Sequence, residues 1–238
     1  MGSMASTGSS AILTMFGGDN ATSVLYWWQA FGTKPWHQET VGTDLSGFGW
    51  PAIAWTGKAA VIAAVDNGGN LYYWWQAVGT KPWHRQHVAS GLAPVQPATI
   101  AWTGGGGGLV VIAAVDAAGN IQYWWQKVGT APWNNQRVAR AGVKTDPLDP
   151  PVVAYNPPAI AATESFVGIV ATDSNGNLNY WQQTIGTAPW NQTVVPPAVS
   201  GRSYVAPDIA STGDTVVITF VDNSGNLYYV TLESLRFE

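Results

Sequence analysis

The sequence predicts an all-β fold, a five-bladed β-propeller of four-stranded antiparallel blades with truncated terminal blades. One motif recurs, Tyr-Trp-Trp-Gln at 26–29, 73–76 and 123–126 and Tyr-Trp-Gln-Gln at 180–183. Each copy is followed by Gly-Thr-x-Pro-Trp, and a fifth, degenerate copy lies around Tyr229. The tyrosines that begin the first four motifs, together with Tyr229, are 47, 50, 57 and 49 residues apart. Periods of roughly 40 to 50 residues with several short strands each are typical of propellers and β-arrays.

Composition agrees with a single many-stranded soluble domain. Of the 238 residues, 46% are apolar and only 10% are charged, and the apolar residues come in short runs broken by Gly, Pro, Asn and Asp. No run approaches the ~20 residues of a membrane helix. Cysteine is absent, which removes disulfides, thiolate metal sites and cysteine catalysis. A net charge of -4 with ten scattered Lys and Arg residues argues against a nucleic-acid partner.

The repeats divide the chain into one domain with five blades. Residues 1–10 are interpreted as a cloning remnant and strand stub, and residues 11–238 as a single propeller. The N-terminus lacks the charged and apolar segments of a signal peptide. The blades are expected at about 4–43, 44–90, 91–145, 146–200 and 201–238.

The second repeat shows the expected layout of one blade. Strands are predicted at 51–55, 60–65, 71–76 and 83–88, so that the Trp after the Pro begins the outer strand. The links between them contain Gly, Asn and Asp, the residues that hairpin turns favour. The first repeat has only a stub before its strand at 11–16, and the fifth stops after 227–232.

The strand carrying Tyr-Trp-Trp-Gln is apolar on both faces, as expected of a blade packed between two neighbours. Its aromatic residues are therefore interpreted mainly as wedges between blades. The side chains at two repeat positions change size together: Trp55 occurs with Trp75 in one copy, whereas the smaller Ala162 occurs with Gln182 in another. This covariation suggests that the two positions of one copy share an interblade space.

The candidate binding residues lie downstream of this strand. In each copy the Trp after Pro is followed by His or Asn, a pairing that could stack on a sugar ring and hydrogen-bond its hydroxyl groups. At any single position a solvated strand edge is the better explanation of the His or Asn, and only the recurrence in four copies favours the binding hypothesis. The glutamines that end the motif are further candidates, and Trp50, in a connection, is another. The candidate carbohydrate-binding residues are Trp36, His37, Trp83, His84, Trp133, Asn134, Trp190, Asn191, Gln29, Gln76, Gln126 and Gln183.

No catalytic or metal-binding constellation is predicted. A glycoside hydrolase needs two carboxylates roughly 5 to 10 Å apart, and the acids outside the repeated positions lie in connections or turns or beside a Pro, as surface acids do. These acids are Asp44, Asp146, Asp149, Glu164, Asp208 and Asp214. We therefore predict no enzyme activity, no metal and no cofactor.

The element Gly-Asn-Leu-Tyr-Tyr-Trp-Trp-Gln at 69–76, followed by Gly79 and Trp83, resembles the blade repeat of bacterial and fungal lectin-like propellers. Among these are the fucose-binding lectins of Photorhabdus type and, in architecture, tachylectin-2. It also resembles the Tyr-Trp-Gln-x-x-Gly-Thr-x-x-Trp repeats of actinobacterial proteins. The resemblance covers residues 11–232 and implies sugar sites repeated around the ring.

The leading hypothesis is thus a multivalent lectin that binds a carbohydrate or glycoconjugate as a monomer or low homo-oligomer. A secreted or cell-surface location would suit such a protein. The alternative is a non-catalytic protein-interaction scaffold or an accessory module of a secreted protein. A glycoside hydrolase is the weaker third hypothesis.

Overall fold

The computed structural model is all-β, as predicted, with nineteen strands in five antiparallel sheets among the residues that it describes. It describes residues 2–17, 22–43, 50–77, 80–94, 96–105, 108–140, 157–173, 175–187, 189–195, 203–212 and 215–233. The predicted blade limits near residues 44, 146 and 201 lie outside these ranges, as do Gly79, Asp44, Asp146, Asp149 and Asp214. No helix in the described ranges is long and apolar enough to cross a membrane.

Four of the sheets have four strands and the fifth has three. Blade 1 consists of β1 Gly2–Ser6, β2 Ser10–Gly17, β3 Ser23–Ala30 and β4 His37–Gly42; blade 2 of β5 Ala52–Trp55, β6 Ala59–Val65, β7 Leu71–Ala77 and β8 His84–Ala89; blade 3 of β9 Thr99–Trp102, β10 Val110–Val115, β11 Ile121–Gln126 and β12 Asn134–Ala139; blade 4 of β13 Ala159–Ala162, β14 Val167–Thr172, β15 Leu178–Gln183 and β16 Asn191–Val195; blade 5 of β17 Tyr204–Thr212, β18 Thr215–Asp222 and β19 Leu227–Glu233.

Every blade is a meander in which each strand pairs antiparallel with the next. The first strands of successive blades pack side by side: β1 with β5, β5 with β9, β9 with β13, and β13 with β17. This arrangement sets the blades around a common centre, with the third and fourth strands outward. Among the described residues, the same packing does not recur between β17 and β1.

Burial of the second strands separates the central blades from the terminal ones. Every residue of β6, β10 and β14 is buried, whereas β2 and β18 alternate between buried and half-buried residues. The small aliphatic sequence Val61-Ile62-Ala63-Ala64-Val65 suits a strand covered on both faces. Four apolar clusters fill the four junctions between consecutive blades. Among the described residues, blades 1 and 5 thus each pack against a single neighbouring blade.

The third strands confirm the predicted two-sided packing. In β7, Tyr73 packs into the cluster shared with blade 3, and Trp74 into the cluster shared with blade 1. Both are essentially inaccessible to solvent, at 0% and 1% exposure. Consecutive side chains of a strand point to opposite faces of the sheet, so the third strand of blade 2 packs against both neighbouring blades.

The interpretation that Trp55 and Trp75 share one space is wrong. Trp55 packs with Trp28 in the cluster between blades 1 and 2, whereas Trp75 packs with Trp102 between blades 2 and 3. The ladder explains the difference, because Trp55 pairs with Ala60 while Trp75 pairs with Val61, which points to the other face. The large residues therefore pack together across the junction between two blades, and not within one blade.

The strands differ from the expected layout at the start of the chain and at the start of each outer strand. Residues 2–6, where only a stub was expected, form β1, which pairs with β2 over its whole length. The outer strands begin one residue after the Trp, at His37, His84, Asn134 and Asn191. Blade 5 has three strands in the described residues, in agreement with the expected truncation.

Candidate functional site

The two ends of each blade carry different chemistry. One end, which we call the loop end, carries the turn after the first strand, which is Thr-Gly in blades 1 to 3, and, in blades 1 to 4, the Gly-Thr-x-Pro-Trp loop after the third strand. The other, the Asp end, carries the turn between the second and third strands. There Asp66 Oδ1 accepts the backbone N–H of Asn70 at 2.8 Å, and Asp116, Asp173 and Asp222 make the equivalent bond. The candidate residues predicted from the repeat lie at or near the loop end.

The tryptophans that follow Pro pack edge-on against the preceding blade. The ring of Trp83 lies 5.1 Å from that of Tyr26, Trp133 lies 5.1 Å from Tyr73, and Trp190 lies 5.3 Å from Tyr123. The interplanar angles of 70°, 81° and 87° are those of T-shaped pairs, which stabilise aromatic contacts. These three rings are half-buried. Trp36, in the first blade, is 44% exposed.

The glutamines that end the motif form a latch between blades. The Gln76 amide N–H donates to Glu39 Oε2 at 3.3 Å, the Gln126 amide lies 2.8 Å from Gln86 Oε1, and Gln183 donates to Gln136 Oε1 at 3.0 Å. We call these three pairs the interblade latch. Gln76, Gln126 and Gln183 are 5%, 2% and 2% exposed, so their amides serve the junction. Gln29, in blade 1, donates instead to Thr33 O of its own loop at 2.7 Å.

The acceptors of the latch are functional residues that the sequence reasoning missed. Glu39 and Gln86 also accept the indole N–H of Trp83 and Trp133, each at 3.2 Å. Glu39, Gln86 and Gln136 each stand three residues after the Trp that follows Pro. The recurrence of Glu or Gln at this position is visible in the sequence. The hydrogen-bond partner of each residue in the next blade is not.

The His and Asn residues after the Trp are exposed, and in blades 1 to 3 they contact the second Trp of their own blade. His37 stacks on Trp28 with ring centroids 4.2 Å apart, and His84 stacks on Trp75 at 5.0 Å. Asn134 donates to Trp125 O at 3.3 Å, and Asn191 pairs with Gln182. In blades 1 to 3, cross-strand pairing therefore places each exposed polar group directly opposite a half-buried Trp.

Two neighbouring junctions have cavities at the loop end. The cavity between blades 2 and 3, about 360 Å³, is lined by Trp102 and Val128 and bordered by Lys58 and Lys127. The cavity between blades 3 and 4, about 340 Å³, is bordered by Thr103, Glu164 and Ile185. Both volumes fall in the roughly 300–1,000 Å³ range of small-molecule sites.

The remaining sequence candidates are scattered. Trp50 is 44% exposed and lies just before β5. Glu164 borders the cavity between blades 3 and 4, and Asp208 accepts the backbone N–H of Ile209 at 2.9 Å. No group of three or more metal-ligating side chains occurs within the described ranges.

No protein-family model matches the sequence, and no curated protein matches it. Solved structures do match its fold. The SapL1 lectin in complex with alpha methyl fucoside is 14% identical with a TM-score of 0.64, covering 98% of this chain and 79% of that one. The BP39L lectin of Burkholderia pseudomallei is 16% identical with a TM-score of 0.70, covering 99% and 67%. The six-bladed lectin of Aleuria aurantia is 11% identical with a TM-score of 0.62, covering 97% and 73%. These similarities establish the β-propeller architecture.

Proposed function

We propose that the chain is a multivalent carbohydrate-binding protein, a lectin whose sites repeat at the loop ends of its blades. The observation that carries this proposal is the recurrence of an exposed His or Asn at the start of the outer strand, which stacks on a half-buried indole in blades 1 and 2 and bonds the backbone of the equivalent Trp in blade 3. A sugar requires an apolar surface for its C–H face and paired donors and acceptors for its hydroxyl groups. Imidazole and amide side chains beside an indole supply both.

The fold supports a saccharide ligand over other small molecules. SapL1 is described in complex with alpha methyl fucoside, and the Aleuria aurantia lectin by its mode of fucose recognition. The loop-end cavities are adjacent and shallow, which suits sugar residues of a glycoconjugate bound by neighbouring blades.

The proposed site differs from the sequence hypothesis in the role of its residues. His37, His84, Asn134 and Asn191 would contact sugar hydroxyls, and the exposed parts of the post-Pro Trp rings would line the rim. The latch glutamines would hold neighbouring blades in place without touching ligand, because they are buried. Each site would bind weakly, with Kd near ~1 mM, and several sites on one rigid body could gain about 10²- to 10⁴-fold in avidity.

A glycan array tests the proposal. The fluorescently labelled protein is expected to bind a defined set of glycans saturably, and the binding is expected to be competed by the free sugar. His84→Ala together with Asn134→Ala removes the exposed polar groups of two adjacent blades without touching the latch. We expect this double variant to lose at least about tenfold in avidity because two of the repeated sites fail.

His87→Ala is the matched control, since His87 belongs to the same strand as His84 but contacts Ser90, toward the Asp end. It should bind glycans as the unchanged protein does. Absence of saturable binding by the unchanged protein to any glycan would overturn the proposal. Equal losses in His87→Ala and in the double variant would also overturn the proposed location.

A second candidate function is a protein-interaction scaffold, favoured by the apolar side chains exposed on the terminal blades. Met4 is 71% exposed, and Leu227 and Tyr229 are each 73% exposed. This function predicts a silent array and a protein partner whose binding is lost in Tyr229→Ser. A glycoside hydrolase is weaker, because the two loop-end cavities and the cavity lined by Asp116 each contain at most one carboxylate.

A further inference from the structure

A larger cavity lies at the Asp end of the junction between blades 2 and 3, away from the proposed sugar sites. Its volume is about 440 Å³. The connection at residues 89–92 and the turn at 116–118 line it together, joined by the hydrogen bond from Ala117 N–H to Gly91 O at 2.9 Å. The rest of the lining comes from Gln122, Trp124 and Asn135, on the third and fourth strands of blade 3. We call this space the Asp116 pocket.

The same positions are filled in the neighbouring blades. In blade 2, Tyr72 and Arg85 replace Gln122 and Asn135, and the guanidinium carbon of Arg85 lies 4.0 Å from the Tyr72 ring centroid. It also lies 5.7 Å from the ring of Trp74, so a cation and two aromatic rings pack together. In blade 4, Gln192 donates to Asn179 at 2.9 Å, and Asn179 is only 1% exposed.

Blade 3 leaves this space open because its two side chains are bonded elsewhere. Gln122 donates to Asp116 Oδ2 at 2.8 Å, and Asn135 donates to the backbone oxygen of Tyr123 at 3.1 Å. Their side-chain carbonyl oxygens make no hydrogen bond within the part of the chain that the structure describes. Two acceptors thus stand at the wall of the cavity.

Trp124 provides a donor at the same wall. Its ring is 5% exposed and packs in the apolar cluster between blades 2 and 3, so only an edge faces the cavity. Among the described residues, its indole N–H has no partner, yet it is not sealed from solvent as the indole N–H of Trp74 is. A buried ring with an accessible N–H is suited to donating one directed hydrogen bond.

The charge at the pocket argues against ionic ligands. Burial alone would raise the pKa of Asp116, but hydrogen bonds from Asn120, Gln122 and the backbone outweigh it and lower the pKa. The carboxylate is therefore ionised and repels anions. It accepts five hydrogen bonds, which occupy the oxygen lone pairs that a cation would need. A neutral ligand with hydroxyl groups matches the remaining acceptors and donor.

We propose that the Asp116 pocket binds one neutral monosaccharide unit through Trp124, Gln122 and Asn135. The apolar lining from Ala89, Leu92 and the turn alanines covers its C–H surface. This site goes beyond the proposed function because it uses different residues at the opposite end of the blades and is not repeated. The pocket would exist even if the loop-end sites bound nothing.

The test follows the indole N–H signal of Trp124 by heteronuclear NMR, with the signal identified from its loss in Trp124→Phe. The probes are neutral hexoses, deoxyhexoses and N-acetylhexosamines, added singly. We expect one class to shift this signal saturably with Kd near ~1 mM. The double variant Gln122→Tyr with Asn135→Arg copies the filling of blade 2, and we expect it to weaken the binding at least about tenfold.

Three controls keep the proposal falsifiable. Circular dichroism and the dispersion of the other indole signals establish that the double variant is folded. If it does not fold, Gln122→Leu, which removes the acceptor oxygen at nearly equal size, is expected to weaken the same titration several-fold. His84→Ala with Asn134→Ala should leave this titration unchanged, and a parallel loss in that variant would overturn a separate site.

The outcomes for the two proposals are distinguishable. A saturable Trp124 shift together with a silent glycan array supports this pocket and contradicts the proposed multivalent function. Array binding with no Trp124 shift from any probe, up to about a hundred times the expected Kd, overturns the pocket alone. A shift that persists at equal affinity in the folded double variant also overturns it.

Discussion

The glutamine that ends the Tyr-Trp-Trp-Gln motif stands at the same position in four blades, but it occupies two different environments. Gln126 is buried and bonds Gln86 of the preceding blade, whereas Gln29 is half-buried and bonds its own loop. The sequence alone presents both as candidate ligand contacts. Which of them holds a junction together depends on the neighbouring blade.

This difference predicts unequal costs for one substitution. Gln126→Ala should lower the free energy of unfolding by about 1–3 kcal/mol, because it removes a hydrogen-bond partner of Gln86 from a buried junction. Gln29→Ala should cost less than ~0.5 kcal/mol. Urea denaturation measures both, and equal costs would contradict the assignment of Gln126 to the latch.

Buried tyrosines predict how stability depends on pH. Burial, with a smaller contribution from the Glu39 charge, raises the pKa of Tyr26 to about 12 from its ordinary value of 10.0. Burial also raises the pKa of Tyr73, Tyr123 and Tyr180. A tyrosine that is kept neutral by folding contributes stability in full below its unfolded pKa, and that contribution is lost as pH rises through the folded pKa.

The free energy of unfolding should therefore fall steadily from pH 10 toward pH 12. Urea titrations across this interval measure the slope, and Tyr26→Phe should make it shallower because one ionising group is removed. A slope that is unaffected by Tyr26→Phe would show that Tyr26 does not resist ionisation in the folded protein.

At the scale of elements, the turns explain why each blade keeps its register. Gly69, in the Asp turn of blade 2, has φ +72°, and a Cβ there would overlap the backbone oxygen of Leu92 in the next connection. The turn and the connection are joined by the bond from Leu92 N to Gly69 O at 3.0 Å. Gly57, in the Thr-Gly turn, has φ +83° with open space around its Cβ position.

Substituting these two glycines separates strain from crowding. Gly57→Ala should lower the free energy of unfolding by about 1 kcal/mol, because alanine is strained at positive φ. Gly69→Ala should lower it by at least ~2 kcal/mol more, since the connection to blade 3 must also move. Thermal and urea unfolding provide the comparison, and equal effects would mean that the connection does not rest on this turn.

The strands themselves could be predicted closely from the sequence, because alternating aromatic and aliphatic residues between Gly, Asn and Asp turns determine them locally. Strand β7 begins at Leu71 as predicted, and β6 begins one residue earlier than predicted, at Ala59. The partners across a junction could not be predicted in this way. That Trp75 meets Trp102, and that Gln86 meets Gln126, depends on how two sheets pack together, which no local pattern encodes.

At the scale of the whole molecule, equivalent tyrosines should differ in importance between central and terminal blades. Tyr180, which is 3% exposed, packs between blades 4 and 5, and its hydroxyl donates to Gln182 at 3.1 Å. Tyr229, at the equivalent position of blade 5, is 73% exposed. The repeat alone makes these two residues look alike, and only the arrangement of blades separates them.

Alanine substitutions should make this asymmetry measurable. Tyr180→Ala should cost about 3–5 kcal/mol, as for other large buried aromatics, whereas Tyr229→Ala should stay within ~0.5 kcal/mol. Chemical denaturation of the two variants tests the claim. A large loss in Tyr229→Ala would show that this face of blade 5 is covered in solution.

The proposed binding residues follow from the repeat only in part. The exposed His and Asn positions could be recognised because they recur after Trp, but their placement opposite Trp28, Trp75 and Trp125 comes from cross-strand pairing. The Asp116 pocket could not be predicted, because the change from Tyr72 and Arg85 to Gln122 and Asn135 is visible in the sequence but the space between the strands that it opens is not.

The central claim, that repetition of blades creates repeated sugar sites, is tested most directly by counting sugars on one chain. Native mass spectrometry of the intact protein with a monosaccharide chosen from the glycan array should show several successive sugar adducts per chain. The variant with His37, His84, Asn134 and Asn191 all changed to Ala should lose them and retain at most the one adduct of the Asp116 pocket. A folded protein that binds no sugar, or whose adducts survive in this variant, would contradict the account.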